Sequence, residues 1–310
     1  MPAAIKKKVK KEKAMFKEAV KNTMQFTRPI LFITRTYGSG IVTPGLATMF
    51  FVNDKGAALT CKHVANQLLA STKVNRNYNE FKKEAGLSEG GTPVSKKDLR
   101  ALEGKYHISQ NSVVNIKCQF KNCVMPLSGF KVTPHPEYDL ALIEFQGFEQ
   151  LCYKPDNIYL LEDAAEIAPG MSVCRLGFPF PEFTNFKYDS EKDDIVWTKE
   201  AAHVPAFPID GIITRHMGDQ KGRLFGLEVS TPGLRGQSGG PLFDTQGRIL
   251  GLQFATKHLH LGFDMINAEV LVNGQKKTVN NQPFLHVGSC IHINVIKKFL
   301  DEHGIPYKTA

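Results

Sequence analysis

The stretch GLRGQSGGPLF, residues 233–243, sets four glycines and a proline around one serine, Ser238. Glycine reaches positive φ and lets other atoms approach the backbone, but inside a regular element each one costs roughly 0.5–1 kcal/mol relative to alanine. A nucleophilic serine is a reason to keep that cost. It needs a base to take its proton, a group to orient the base, and donors aimed at the oxyanion that forms. Here Gly236 frees the backbone so that its own amide and that of Ser238 face one small site, while Gly239 and Gly240 keep bulk away from an attacked carbonyl.

Working outward, the missing partners stand at the ends of strands. His63 lies in LTCKHVANQ, where a strand runs into a short helix, and Asp139 lies in HPEYDLALIEF, directly before an apolar strand. Taken alone, His63 reads equally as a core histidine bonded to backbone, and Asp139 as a turn residue. His135 competes as the base in spacing only, because it sits between two prolines and lacks the strand-to-helix setting of His63.

The surrounding pattern is one of short strands. LATMFFVN and AALTCKHVA flank a turn at Asp54, Lys55 and Gly56 and predict a hairpin, and NSVVNIKCQF, GFKVTP and DLALIEF add strands after it. SVCRLGF, GIITRHM, RLFGLEVS, PLFD and RILGLQFA repeat the habit in the second half, and Asn273-Gly274 marks a further hairpin. Strand signals at such intervals favour a sandwich or barrel. The polar, lysine-rich segment 71–110, with helix-compatible pieces, reads as an insertion between strands, and 181–207 as a long irregular loop with strand fragments. NVIKKFLDEHG, with Asn294 as its expected cap and Gly304 and Pro306 as stop signals, predicts a C-terminal helix. The expected division is a basic arm over 1–27, a first β unit over 28–150, a second over 151–290 and the closing helix over 291–310.

The chain has 310 residues and a formal net charge of +9. Eight lysines and two glutamates between Lys6 and Lys21 place +6 of that charge in the first tenth of the sequence. Such an arm, with Val9, Phe16, Val20 and Met24 near one helical face, could bind nucleic acid or an anionic membrane; its default is a solvated, partly ordered tail. No apolar run approaches the roughly 20 residues of a membrane-spanning helix, and the basic start lacks the apolar core and cleavage site of a secretion signal. The six scattered cysteines then read as free thiols, and the expected location is the cytoplasm. Cys118 and Cys123 have no matching pair for zinc, so neither a metal nor a cofactor is expected.

With GAALTCKHV, DLALI and GQSGGPL in that order, the chain resembles the trypsin-like serine proteases, and among them the HtrA (Deg) branch. PGMSVCRLGFP, DGIIT and IHINVIKKFLDE extend the likeness over roughly 40–65, 130–180 and 210–303. The resemblance implies an all-β fold of two packed six-stranded antiparallel barrels with a C-terminal helix. It implies serine endopeptidase activity on polypeptides, with Ser238 as nucleophile, His63 as base, Asp139 as the orienting acid, and the Gly236 and Ser238 amides as the oxyanion hole. A trypsin-like scaffold kept for protein binding with its triad idle is the alternative, beside binding through the arm.

The sequence departs from its relatives in three places. Gln237 stands where digestive enzymes carry an aspartate that pairs with a newly cut N-terminus, so activation is not expected to depend on cutting the arm. Pro232 takes the place of the acidic residue at the pocket floor of trypsin, leaving no anchor for Lys or Arg. Gln253 and Ala255 are expected on the pocket wall, which favours an apolar or small residue at the cut, or a polar one held by Gln253. HtrA proteins usually carry a PDZ module after the protease domain, and only ten residues follow Leu300. Recruitment is therefore expected from the arm, from the segments 71–110, 181–207 and 268–280, or from a regulatory protein partner.

Overall fold

The computed structural model describes residues 15–310 apart from 39–40, 89, 192, 200–202, 273 and 282–283. The first lobe is a six-stranded antiparallel sheet of β1 (Thr27–Thr36), β2 (Val42–Phe51), β3 (Ala57–Thr60), β4 (Val113–Phe120), β6 (Gly129–Pro134) and β7 (Ala141–Gln146). Its order is β4-β1-β2-β3-β7-β6, and β5 (Val124–Met125) pairs with β8 (Gln150–Leu151) beside it. The second lobe is a closed barrel of β9 (Ser172–Gly177), β12 (Phe207–Gly218), β13 (Leu224–Val229), β14 (Pro241–Phe243), β15 (Ile249–His260) and β18 (Phe284–His292). One continuous apolar core, from Phe50 and Leu59 to Leu242, Ile291 and Phe299, runs through both lobes.

The first lobe departs from the expected second closed barrel, because β4 and β6 are free edges that do not pair with each other. An unpaired strand edge leaves peptide groups needing partners. Helix α2 (Lys62–Glu84) lies across both edges. The side chain of Asn75 on this helix acts as a substitute strand: its Nδ2 donates to Ile116 O and its Oδ1 accepts from Ile116 N, both at 2.8 Å. Phe120 and Phe130 then meet edge-on across the gap, with ring centroids 4.9 Å apart. The expected short helix after His63 is thus 23 residues long, and the segment 71–110 begins inside it. It ends in α3 (Lys96–Lys105), whose N-cap Ser95 accepts from Asp98 N at 3.2 Å.

In the segment 181–207 the expected strand fragments pair with each other. They form a hairpin of β10 (Phe186–Asp189) and β11 (Asp194–Trp197). Phe183 and Ile195 cover the outer face of β1 at Leu31 and Ile33. Asp193 joins Arg35 at 2.8 Å and accepts from Tyr78 of α2 at 2.6 Å. The expected hairpin near 268–280 is β16 (Met265–Val272) with β17 (Gln275–Asn281), Asn273 itself lying outside the described residues.

Most of the basic stretch 6–21 also falls outside the described residues. From Phe16 onward the arm is ordered and packed rather than solvated. Helix α1 (Lys17–Thr23) buries Ala19, and Phe16 meets Phe243 of β14 edge-on at 6.4 Å. Only Met24 of the four apolar residues on the expected face is placed in solvent among those described, at 46% exposed. At the other end, α4 (Ile293–Glu302) is capped by His292, whose Nδ1 accepts from Asn294 N at 3.1 Å, rather than by Asn294. No helix among the described residues is long and apolar enough to cross a membrane.

Candidate active site

His63 occupies the first turn of α2, where the chain turns out of β3 through Cys61. Asp139 lies in the short connection between β6 and β7. Strands β3 and β7 are neighbours, with Thr60 opposite Ala141, so the ladder delivers the two side chains to the same end of the sheet. Asp139 grips the histidine twice: Oδ2 lies 2.7 Å from His63 Nδ1, and Oδ1 accepts from the His63 backbone amide at 2.9 Å. Burial would raise the Asp139 carboxyl, but the hydrogen bonds from the His63 ring and backbone outweigh it and hold the pKa below its ordinary value. The ring therefore has one nitrogen tied to the carboxylate and Nε2 left for another group.

His135 has a different task. Its Nδ1 accepts from the amides of Glu137 and Tyr138 at 3.1 and 3.0 Å, so it shapes the turn leading into Asp139. Tyr138 is held in turn by Phe225 of β13, stacked at 5.4 Å, and by Asp219.

Ser238 enters from the loop before β14. His63 and Ser238 line one cleft of about 330 Å3 together with Gly233, Gln253 and Ala255. Gly236 and Gly239 have φ of +90° and +87°. A Cβ on Gly236 would fall 2.2 Å from Phe178 O, and one on Gly239 would fall 2.1 Å from Thr48 O, so neither position has room for a side chain. Inside the loop, the amides of Gln237, Gly239 and Gly240 donate to Leu234 O, Gln253 O and Gln237 O. Those of Gly236 and Ser238 donate to no protein acceptor among the described residues. In a trans peptide the N–H points opposite the preceding C=O. The Gln237 carbonyl, occupied by Gly240, thus turns the Ser238 amide the other way.

Gln237 is fully buried and satisfied within its own lobe: Oε1 accepts from Leu234 N at 2.9 Å and Nε2 donates to Phe207 O at 3.1 Å. Gln253 and Ala255 both line the cleft. Pro232 does not line the cleft; its carbonyl accepts from Arg175 NH2 at 3.0 Å.

Two residues that matter here were not singled out from the sequence. Thr48 on β2 reaches across the lobes: its amide donates to Ser238 O at 2.9 Å, its hydroxyl donates to Gly236 O at 2.6 Å, and the same hydroxyl accepts from Phe178 N at 3.2 Å. Nothing about a threonine in an apolar strand announces this. Arg175 lies 1% exposed behind Gln253. A lone charge in the apolar strand SVCRLGF was its available signal.

No curated protein sequence matches the chain. Among solved structures, two of the HtrA-type protease AlgW with a tripeptide are similar, at 13% and 14% identity and TM-scores of 0.46 and 0.45. Each alignment takes in 94% of this chain and 64% of the AlgW chain, so the chain spans less than two thirds of their length. The sequence profile of the trypsin-like peptidase domain matches residues 38–252, well over half of the chain. The chain belongs to the trypsin-like peptidase family.

Proposed function

We propose that the protein is a serine endopeptidase that cuts polypeptides through an acyl-enzyme intermediate on Ser238. The observation that carries this reading is the pairing of opposite needs in one cleft. A histidine fixed by a carboxylate at 2.7 Å shares the cleft with a serine loop whose Gly236 and Ser238 amides lack acceptors among the described residues.

In this scheme Ser238 Oγ attacks the scissile carbonyl carbon as His63 Nε2 takes its proton. The carbonyl oxygen becomes an oxyanion and accepts from the Gly236 and Ser238 amides. Collapse of the adduct breaks the C–N bond, and His63 returns the proton to the departing amine. Water then gives a proton to His63, attacks the acyl carbon and releases the new carboxyl end with Ser238 restored. Asp139 keeps the ring in the tautomer that leaves Nε2 free and stabilises the imidazolium. Because Gln237 makes its hydrogen bonds within the second lobe, the loop needs no freed N-terminus, and the uncut chain is competent.

The test is a fluorophosphonate probe applied to the intact chain. Labelling is expected on Ser238, absent in Ser238→Ala and strongly reduced in His63→Ala, with casein cleavage lost in both variants. Persistence of the label in Ser238→Ala, or its absence from an intact wild-type chain that folds, would sink the proposal and favour an idle scaffold.

A further inference from the structure

Behind the cleft wall sits a positive charge whose partners are all neutral. Arg175 on β9 donates from NH1 to Gln253 Oε1 at 2.5 Å. From NH2 it donates to Thr231 O at 2.8 Å, Thr231 Oγ1 at 2.7 Å and Pro232 O at 3.0 Å. Among the described residues its Nε has no partner and no carboxylate pairs with it, although Arg35, Arg215, Arg223 and Arg248 all have one. Burial pushes its guanidinium below its ordinary pKa. A buried charge left without a counter-charge is costly. The fold nevertheless makes space for it: a Cβ on Gly288 of β18 would lie 2.1 Å from Arg175 NH1.

The charge is presented to the cleft through Gln253. A guanidinium can only donate, so the amide atom facing it is the oxygen, and the NH2 end of Gln253 must face the other way. There Nε2 donates to Ala255 O at 2.6 Å. It lies so near Gly233 that a Cβ there would come within 2.5 Å of it. An amide nitrogen carries two hydrogens, so one N–H of Gln253 remains at the wall. The residues lining the cleft include Arg235 and His258 but no aspartate or glutamate.

We propose that this cleft selects an acidic residue on the acyl side of the cut, glutamate above all. Its carboxylate would accept from Gln253 Nε2 and supply the negative charge that Arg175 lacks. This rests on the endopeptidase reading, and it replaces the apolar or small residue expected from the sequence. Gln253 contacts the substrate; Arg175 acts through it as a positioning residue.

The experiment is cleavage of a proteome-derived peptide mixture by the full chain, with Ser238→Ala as the blank, followed by kcat and KM on matched peptides with Glu, Gln, Leu or Lys at that position. Rates are expressed per serine titrated with fluorophosphonate. Glutamate is expected to dominate the cuts and to exceed glutamine in kcat/KM by about tenfold or more. Gln253→Leu should lower the Glu/Leu ratio mainly through KM. Gln253→Glu, which sets a carboxylate against Arg175, should abolish the glutamate preference without requiring the guanidinium to be removed from the core. No cleavage beyond the blank would sink the endopeptidase reading itself. Cleavage led by Leu, Lys or Gln, or a glutamate preference unmoved in both Gln253 variants, would overturn the specificity inference alone.

Discussion

His63 and Asp139 belong to a sheet whose two edges never pair, whereas Ser238 hangs from a ring of six strands closed by hydrogen bonds. The first pair is held at the surface, with side chains 52% and 29% exposed, by one carboxylate making two contacts. The serine loop is held by backbone geometry, through two glycines at positive φ and the hydroxyl and amide of Thr48. The difference implies separate vulnerabilities. On the proposed mechanism, chemistry on the histidine side hinges on a single carboxyl group that the fold can spare, while on the serine side the setting of Ser238 and the folding of the barrel share the same atoms.

The largest expected effect breaks the histidine side. Asp139→Asn should lower kcat by roughly 10^4-fold, because the amide no longer selects the productive tautomer, while circular dichroism stays that of the wild type. The same variant has a pH signature. The folded Asp139 carboxyl lies below its ordinary value, so its ionised form contributes stability above the unfolded pKa of about 3.9. That contribution is lost as pH falls through the folded pKa. Urea midpoints of wild type and Asp139→Asn should therefore converge in acid; a gap that widens there would contradict the assignment.

On the serine side the expected damage falls on the fold first. Gly236→Ala places a Cβ against Phe178 O at a φ of +90°, and it should cost about 2–4 kcal/mol in denaturant unfolding, from left-handed strain plus overpacking. A variant as stable as the wild type would show that the loop relaxes freely. Thr48→Val sharpens the comparison most finely, since it keeps shape and removes only the hydroxyl between Gly236 O and Phe178 N. A loss of about 1–3 kcal/mol is expected from the groups left unpaired, with fluorophosphonate labelling slowed and Thr48→Ser close to wild type. Equal behaviour of the Val and Ser variants would remove the hydroxyl from the account.

Much of this was readable in advance because the relevant residues break local rules. Glycines crowded about Ser238 and an aspartate at the head of an apolar strand are conspicuous against ordinary β sequence, and the alternation of short apolar runs located most strands. What escaped was set by contacts distant in sequence. How the open first sheet satisfies its β4 edge depends on Asn75 reaching Ile116, 41 positions away, which no strand pattern encodes. Lys-rich helical pieces in 71–110 were visible, but their continuity with the helix bearing His63 was not, because polar outer turns dilute the apolar face. The cap of the last helix lies at His292 rather than Asn294 because an imidazole nitrogen can accept a first-turn amide hydrogen bond, here from Asn294 N itself. Arg175 was passed over as a strand residue, although a cation in such a run asks where its solvation went.

Helix α2 extends about 34 Å, at 1.5 Å for each of its residues. The insertion is therefore a continuation of the rod that begins beside the imidazole, and the far end of that rod is tied to Asp193 through Tyr78. Anyone trimming the protein to a minimal scaffold would have to give β4 and β6 a new cover, since removing the apparent excess would also strip the wall that completes the open half.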